Sequence, residues 1–196
     1  MIDQLEAVIL EIKTGGIVAI SDDEAREDEA DLIVAAELIT VEQMAFLIRY
    51  TSGIITVPMT AERLIELEIE VLKSDNPANF NTPFALPVDL KSATRGGVSA
   101  AERLATVRAL VDPATRPVEL GRPGHVFPLQ VHPDGLAGRQ GHTEAALELM
   151  KRAGLQPIAV IGELMNDDGT MMRGKGLLDF LELNNIPLAS IEALSR

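Results

Sequence analysis

The sequence predicts a mixed β-sheet with helices packed around it, of α/β or α+β type, in one domain covering residues 1–196. Three observations predict it. Short apolar runs of strand type alternate with segments whose apolar residues recur at helical spacing. The same alternation continues on both sides of every polar stretch, so none of these reads as a domain linker. A chain of 196 residues that is 46% hydrophobic is long enough to bury one substantial core.

The elements follow in order. Ile2, Leu5, Val8, Ile9 and Ile12 share one helical face over residues 2–14, and Gly15-Gly16 stops that helix. GIVAIS (16–21) and ADLIVAAELI (30–39) read as strands on either side of an acidic stretch. Thr40 with Gln43, and Ser99 with Glu102, form capping-box patterns ahead of VEQMAFLIRY and AERLATVRALV. In such a box the hydroxyl accepts a backbone N–H of the first turn while the Gln or Glu accepts the cap's own N–H, so both patterns mark helix starts. Further strands are GIITVPM (53–59), FALPVDLK (84–91), HVFPLQVH (125–132) and PIAVIGEL (157–164). AALELMKRAG reads as a helix with Thr143 as its N-cap and Gly154 as its stop. SDNPANFN (74–81) and DPATRPVELGRPG (112–124), rich in Pro, Asn and Gly, read as exposed loops able to act as lids.

Composition narrows the function. There is no cysteine, which excludes disulfides, thiolate metal sites and a Cys nucleophile, so any metal must be held by oxygen or imidazole. A net charge of −13 argues against binding nucleic acid or anionic lipid, both of which need Lys and Arg to neutralise phosphate. One Tyr, five Phe and no Trp leave little from which to build a base-stacking platform. No apolar run approaches the roughly 20 residues that cross a bilayer. The opening MIDQLEAVILEIKTGG mixes acids with apolar residues and has neither a basic start nor a small-residue cleavage site, so no secretory signal is expected. A cytoplasmic enzyme acting on small molecules, and pairing with copies of itself, fits these limits.

Two segments carry the chemistry. Residues 22–31 read Asp-Asp-Glu-Ala-Arg-Glu-Asp-Glu-Ala-Asp, seven carboxylates in ten positions. Like charges so close repel, and folding them into a cleft calls for a cation among them; a hard ion such as Mg²⁺ suits carboxylates. If this stretch is extended, Glu27, Glu29 and Asp31 share one face, with Arg26 and Asp28 on the other. The plainer reading is a solvated acidic turn with Arg26 as an internal ion-pair partner. The second segment, Arg139-Gln140-Gly141-His142-Thr143-Glu144, opens a helix. Unpaired N–H groups and the positive dipole end make such a start an anion site, to which Arg139 and Thr143 add a charge and a hydroxyl. His142 beside it can ligate the metal held by the acidic run; alternatively it is a surface histidine next to a capping Thr. His125, directly after the Pro/Gly-rich stretch, suits general acid–base work or is a satisfied strand-start histidine. No role is assigned to His132. Glu163, at the end of an apolar strand, is either tuned by burial or simply solvated.

Taken together these motifs resemble the 3,4-dihydroxy-2-butanone 4-phosphate synthase family of riboflavin biosynthesis, over nearly the whole chain. DDEAREDEADL (22–32) is similar to that family's Asp-Asp-Glu-Asp-Arg-Glu-Asn-Glu-Gly-Asp-Leu signature. GVSAAERLATVRAL (97–110), RPGHVFPL (122–129), GHTEAALEL (141–149) and GELMNDDGTMMRG (162–174) follow in the family's order. The resemblance implies an α+β fold, a mixed sheet surrounded by helices. It implies conversion of ribulose 5-phosphate to 3,4-dihydroxy-2-butanone 4-phosphate and formate with Mg²⁺ or Mn²⁺, in a homodimer with active sites at the interface. By motif match Glu27, His142 and Glu29 correspond to metal ligands. Arg26, Asp31, Arg139, Gly141, Thr143 and Glu163 correspond to residues that hold substrate. His125 and Glu163 correspond to essential positions, and Asp22 to a proton-transfer carboxylate.

The chain departs from the family at Ala25, Ala30, Thr56 and Gly162, and at Arg95-Gly96-Gly97, where the family has Thr-Thr-Gly. The altered Arg95-Gly96 segment keeps open a non-catalytic homologue that binds ligand or a partner subunit, and a metal-dependent sugar-phosphate isomerase or aldolase would use the same chelation chemistry.

Overall fold

The structure, a computed structural model, describes residues 4–23, 25–73, 82–93 and 95–196. In chain order the elements are α1 (Gln4–Lys13), β1 (Val18–Ser21), β2 (Ala30–Ala35), α2 (Val41–Tyr50), β3 (Thr56–Met59), α3 (Ala61–Glu66) and β4 (Val88–Leu90). Then come α4 (Ala100–Val111), β5 (Leu120–Gln130), α5 (His142–Ala153), β6 (Ala159–Glu163), α6 (Gly174–Leu183), β7 (Leu188–Ser190) and α7 (Ile191–Leu194).

The strands form one mixed sheet in the order β4-β5-β3-β6-β2-β1-β7, with β3/β5 and β1/β7 parallel and the other neighbours antiparallel. Helices cover both faces. The interior strand β2 is buried throughout, and its side chains alternate between the two layers as strand geometry requires. Ala30, Leu32 and Val34 enter one core with Met44 and Leu47 of α2, Leu104 and Leu110 of α4, and Leu177 and Leu181 of α6. Ile33 and Ala35 enter the other with Val8 and Ile12 of α1, Ala145, Ala146 and Leu149 of α5, and Leu194 of α7. Asp31 falls on this second face by the same alternation, which points it toward α5.

Local signals act as their chemistry dictates. Thr40 and Ser99 each cap a helix with the full reciprocal box, and Gly154 ends α5 at φ +73. Thr143, expected as the α5 N-cap, is instead the second helical residue. Gly141 holds the cap position, and among the described residues no side chain caps that end. β5 begins at Leu120, inside the 112–124 stretch expected to be a loop: Leu120 and Gly121 pair with Leu90 and Asp89, and this tertiary pairing overrides the Pro/Gly signal. The proposed loop at 74–81 and Ile2 of the first helix lie outside the described residues. The sequence reading did not foresee α3, α6, β7 or α7. Three of these have six residues or fewer, too few to show periodicity, and α6 opens on Gly-Lys-Gly. Among the described residues no helix is long and apolar enough to cross a membrane.

Candidate active site

A cavity of about 300 Å³ opens where the sheet meets the start of α5. Its floor is made by side chains on the α5 face of neighbouring strands: Asp31 of β2, Glu163 and Ile161 of β6, Thr56 of β3 and Leu129 of β5. Asp31 and Glu163 are direct cross-strand partners, so the register alone places two carboxylates side by side. Arg26, Glu27 and Glu29 of the acidic loop, with Arg139, His142 and Thr143, close the cavity from above. Segments more than a hundred positions apart in sequence therefore face one another.

The acidic loop is a turn, not the extended segment considered from the sequence. Asp22 organises it. Its Oδ1 accepts the Glu29 N–H at 2.9 Å, and Oδ2 accepts the Glu27 N–H at 3.2 Å and an Arg26 Nη1–H at 2.7 Å. Arg26 also donates to Glu27 Oε2 at 2.7 Å, so one guanidinium bridges two carboxylates. Arg26 and Glu27 thus reach the same cavity rather than opposite faces. Asp28 takes a left-handed conformation, φ +53, to complete the turn. Arg173, just before α6, pins the loop from outside: it donates to the Glu27 carbonyl at 2.8 Å and lies 3.4 Å from the Asp28 carboxylate and 3.6 Å from that of Glu29.

On the opposite wall, α5 begins at His142. The absent side chain of Gly141 leaves room there: a Cβ would sit 2.2 Å from Arg139 Nη1 and 2.9 Å from Glu144 Oε2, so both side-chain ends would have to shift. Arg139 lies across this helix start, donating to the buried Glu144 at 2.7 Å and to Thr82 Oγ1 at 2.7 Å. The other Glu144 oxygen accepts the His132 N–H at 3.2 Å. An uncapped helix start with a tethered guanidinium and the Thr143 hydroxyl offers an anion N–H groups, charge and dipole together.

The electrostatics follow from crowding. Burial pushes the Asp31 carboxyl up to about 7; the charge of His142 opposes this, and Glu163, Glu27 and Glu29 add to it. For His142, burial favours the neutral ring, but the Asp31 charge, the hydrogen bond to Glu27 and the charge of Asp22 outweigh it and raise the ring to about 8. Burial would also raise Glu27; the His142 hydrogen bond and Arg26 overcome it and hold the carboxylate below its usual range. Glu29 is raised by burial and by the Glu163 and Glu27 charges.

Since Asp31 and His142 both titrate higher in the folded chain, these two groups hold more protons in the folded state than in the unfolded one between roughly pH 4 and 8. Their contribution to stability is complete at the acid end of this window and is lost as pH rises through about 8. Thermal melts in chelator are therefore expected to give a lower Tm at pH 8.5 than at pH 6, and a Tm at pH 8.5 equal to or above that at pH 6 would contradict the assignment.

The expected site residues divide into two groups. Arg26, Glu27, Glu29, Asp31, Arg139, His142, Thr143 and Glu163 all line the cavity, and Asp22 and Gly141 shape its walls. Glu27 Oε2 lies 3.5 Å from His142 Nδ1, and donor atoms of Asp22, Glu27 and His142 fall within 4.8 Å of one another. Glu29 faces the cavity but is not in that tight group. His125 does not line the cavity at all: it sits on the exposed part of β5, paired with Asp89. Sequence reasoning passed over Thr82, Glu144, Arg173 and Asp89. Only Arg173 and Glu144 stood in quoted motifs, and their long-range partners carry no local signal.

The donor set suits a hard divalent cation. Carboxylates and one imidazole converge, no thiolate exists, and two buried atoms, His142 Nε2 and Asp31 Oδ1, have no hydrogen-bond partner among the described residues.

A mixed sheet with a cation-type cluster beside an anion-accepting helix start defines an α+β enzyme class that grips a phosphorylated small molecule and a metal in one cavity. A family model for 3,4-dihydroxy-2-butanone 4-phosphate synthase matches residues 6–196. The chain belongs to that family. It is 44% identical over 183 residues to the 3,4-dihydroxy-2-butanone 4-phosphate synthase of Hamiltonella defensa, covering 93% of this chain and 84% of that protein. It is 43% identical over 192 residues to the one from Photorhabdus laumondii, covering 98% and 88%. Among solved structures, a 3,4-dihydroxy-2-butanone 4-phosphate synthase in complex with two magnesium ions superposes with a TM-score of 0.92 at 38% identity, covering 97% of this chain and 94% of that one. A cation-free form of such a synthase gives 0.89 at 37% identity, covering 98% and 95%.

Proposed function

We propose that this protein converts ribulose 5-phosphate to 3,4-dihydroxy-2-butanone 4-phosphate and formate in riboflavin biosynthesis, using Mg²⁺ or Mn²⁺. The observation that carries the reading is the convergence of Glu27 and His142, 3.5 Å apart, in the cavity that also holds the open start of α5. In this reading Glu27 and His142 hold the metal. Asp22 is the third donor within reach, and Glu29 stands behind as a further ligand. Bound there, the ion supplies Lewis-acid polarisation of the sugar's carbonyl and hydroxyl oxygens, which acidifies the neighbouring C–H.

The chain's own residues do the rest. Arg139, Thr143 and the N–H groups after Gly141 anchor the phosphate, which takes no part in the chemistry but fixes the reacting carbons. Arg26 keeps the acidic loop folded over the substrate. Asp31 and Glu163, side by side on the floor, bind the sugar hydroxyls. Glu163 also serves as a proton carrier, and Asp31, titrating near neutrality, can hold or release a proton there. Enolisation, water loss, skeletal rearrangement and formate release each move a proton, which accounts for several carboxylates in one cavity. Asp22 can join them through the acceptor site that its three loop hydrogen bonds leave free on Oδ1.

His125 is the remaining proton-transfer group, and it lies outside the cavity of its own chain. A homodimer with active sites at the interface resolves this, because His125 of one copy can then serve the cavity of the other. Such a contact would cover Ile54 on the cavity wall, 48% exposed, and Val98, next to Gly97, 51% exposed. The setting is the cytoplasm, with a sugar phosphate rather than nucleic acid or membrane as ligand.

The test is a formate assay. Protein with ribulose 5-phosphate and Mg²⁺ should release formate, and chelator should stop it. An isomerase or aldolase would consume substrate without formate, and a non-catalytic homologue would consume none.

A further inference from the structure

The hairpin that follows β6 carries an arginine with no part in the proposed chemistry. Glu163 ends β6 on the cavity floor, and from there the chain turns back on itself. Met165 bridges Met171, the Met172 N–H donates to the Leu164 carbonyl at 3.0 Å, and the Asn166 amide donates to Thr170 Oγ1 at 3.0 Å across the turn. The Leu164 N–H donates to the Ala30 carbonyl at 2.9 Å, which ties the hairpin to β2. Arg173 stands at its far end. One short, internally bonded unit therefore carries Glu163 below the cavity and Arg173 against the outside of the acidic loop that closes it from above.

Charge pairing does not account for where Arg173 sits. Its guanidinium is 3.4 Å from the Asp28 carboxylate and 3.6 Å from that of Glu29, and the Arg173 and Asp28 side chains are 47% and 46% exposed. Exposed ion pairs at such distances contribute little. The close contact is with backbone: Nη2–H donates to the Glu27 carbonyl at 2.8 Å. On the other side of the same residue, the Glu27 N–H donates to Asp22 Oδ2 at 3.2 Å. Both peptide units that flank the Glu27 Cα are thus held, and with them the direction in which its side chain leaves. That direction brings Oε2 to 3.5 Å from His142 Nδ1. The next residue, Asp28, sits at φ +53, which a non-glycine residue adopts at a cost, so the turn benefits from a hold supplied from outside.

We propose that Arg173 is a positioning residue that grips the Glu27 carbonyl and so keeps the Glu27 carboxylate in its ion-binding pose before the ion arrives. The proposal deepens the reading of Glu27 and His142 as metal ligands and rests on it. Two effects of Arg173 oppose each other. As a cation beside the site it repels a divalent ion, and it engages Glu29, a further carboxylate. By charge alone, removing it would tighten Mg²⁺ binding. As a hold on the loop it spares the ion the work of ordering Glu27, and by this effect removing it weakens Mg²⁺ binding. The sign of the change tells a positioning residue from a mere surface charge.

Titration calorimetry with Mg²⁺ on the substrate-free protein reads that sign. Arg173→Gln should bind Mg²⁺ at least about tenfold more weakly than the wild type, the scale of one charge-assisted hydrogen bond. Arg173→Lys keeps the charge and a donor and should fall between the two. Asp28→Asn removes the outer charge pair but leaves the carbonyl bond, and should bind Mg²⁺ within about threefold of the wild type. In the formate assay Arg173→Gln should need about tenfold more Mg²⁺ for half-maximal rate, with kcat at saturating Mg²⁺ within about threefold of the wild type. Its Tm in chelator should stay close to that of the wild type, because the side chain is half exposed.

Arg173→Gln that binds Mg²⁺ as tightly as the wild type, or more tightly, would overturn the proposal. So would a failure of that variant to fold, since Arg173 would then hold up the fold rather than one ligand. His142→Ala is the control for the reading underneath. If it binds Mg²⁺ like the wild type, the metal site itself is misassigned and both fall. If it loses the ion while Arg173→Gln keeps it at full affinity, this inference alone falls.

Discussion

Glu27→Gln and His142→Ala should each lower formate release from ribulose 5-phosphate by about 10³-fold or more at saturating substrate, because several kcal/mol of charge stabilisation depend on the ion they hold. Glu27→Gln keeps shape and removes charge. The Arg26 hydrogen bond can persist to an amide oxygen, but a neutral amide is a poorer ligand for a hard cation. His142→Ala removes the buried imidazole that counters Asp31, Asp22 and Glu27, so the remaining carboxylates repel one another. Both variants should melt cooperatively, and titration calorimetry with Mg²⁺ should show affinity lost along with rate. Either variant turning over near the wild-type rate would remove Glu27 and His142 from the metal site.

Arg139→Ala is expected to raise KM for ribulose 5-phosphate by about 100-fold, the value of one or two charge-assisted hydrogen bonds to phosphate. It carries a second cost. Glu144, whose side chain is fully buried, would lose its cation, and an uncompensated buried carboxylate destabilises by about 3–5 kcal/mol. The double variant Arg139→Ala with Glu144→Gln separates the two effects. Urea unfolding should show stability largely restored, while KM stays high. If KM recovered together with stability, Arg139 would be a structural partner of Glu144 and the phosphate would be held elsewhere.

The parts of this molecule that could be read in the sequence are those fixed by short-range chemistry. Thr40–Gln43 and Ser99–Glu102 close capping boxes within four residues, and they mark helix starts in the structure. The acidic run and the His142 segment were visible as motifs, and their residues converge in one cavity because register places Asp31 opposite Glu163 beneath the start of α5. Chain order alone does not show that meeting. What stayed hidden depends on distant partners. β5 begins at Leu120 because β4 is there to pair with it, although Pro123 and its flanking glycines signal a loop. Thr143 looked like a cap by residue type, but the helix starts at His142, ahead of that residue, with Gly141 at the cap. Arg173 and Asp89 act on residues 146 and 36 positions away, and no local pattern announces either contact.

The central claim is that the Glu27 carboxylate and the His142 imidazole bind one divalent ion. Electron spin echo measurements on protein loaded with a single equivalent of Mn²⁺ test it most directly, since an imidazole nitrogen bound to manganese leaves its own modulation in the signal. The account predicts nitrogen modulation in the wild type, still present in His132→Gln and His125→Gln and gone in His142→Ala. Modulation that survives in His142→Ala, or is absent from the wild type, would contradict it.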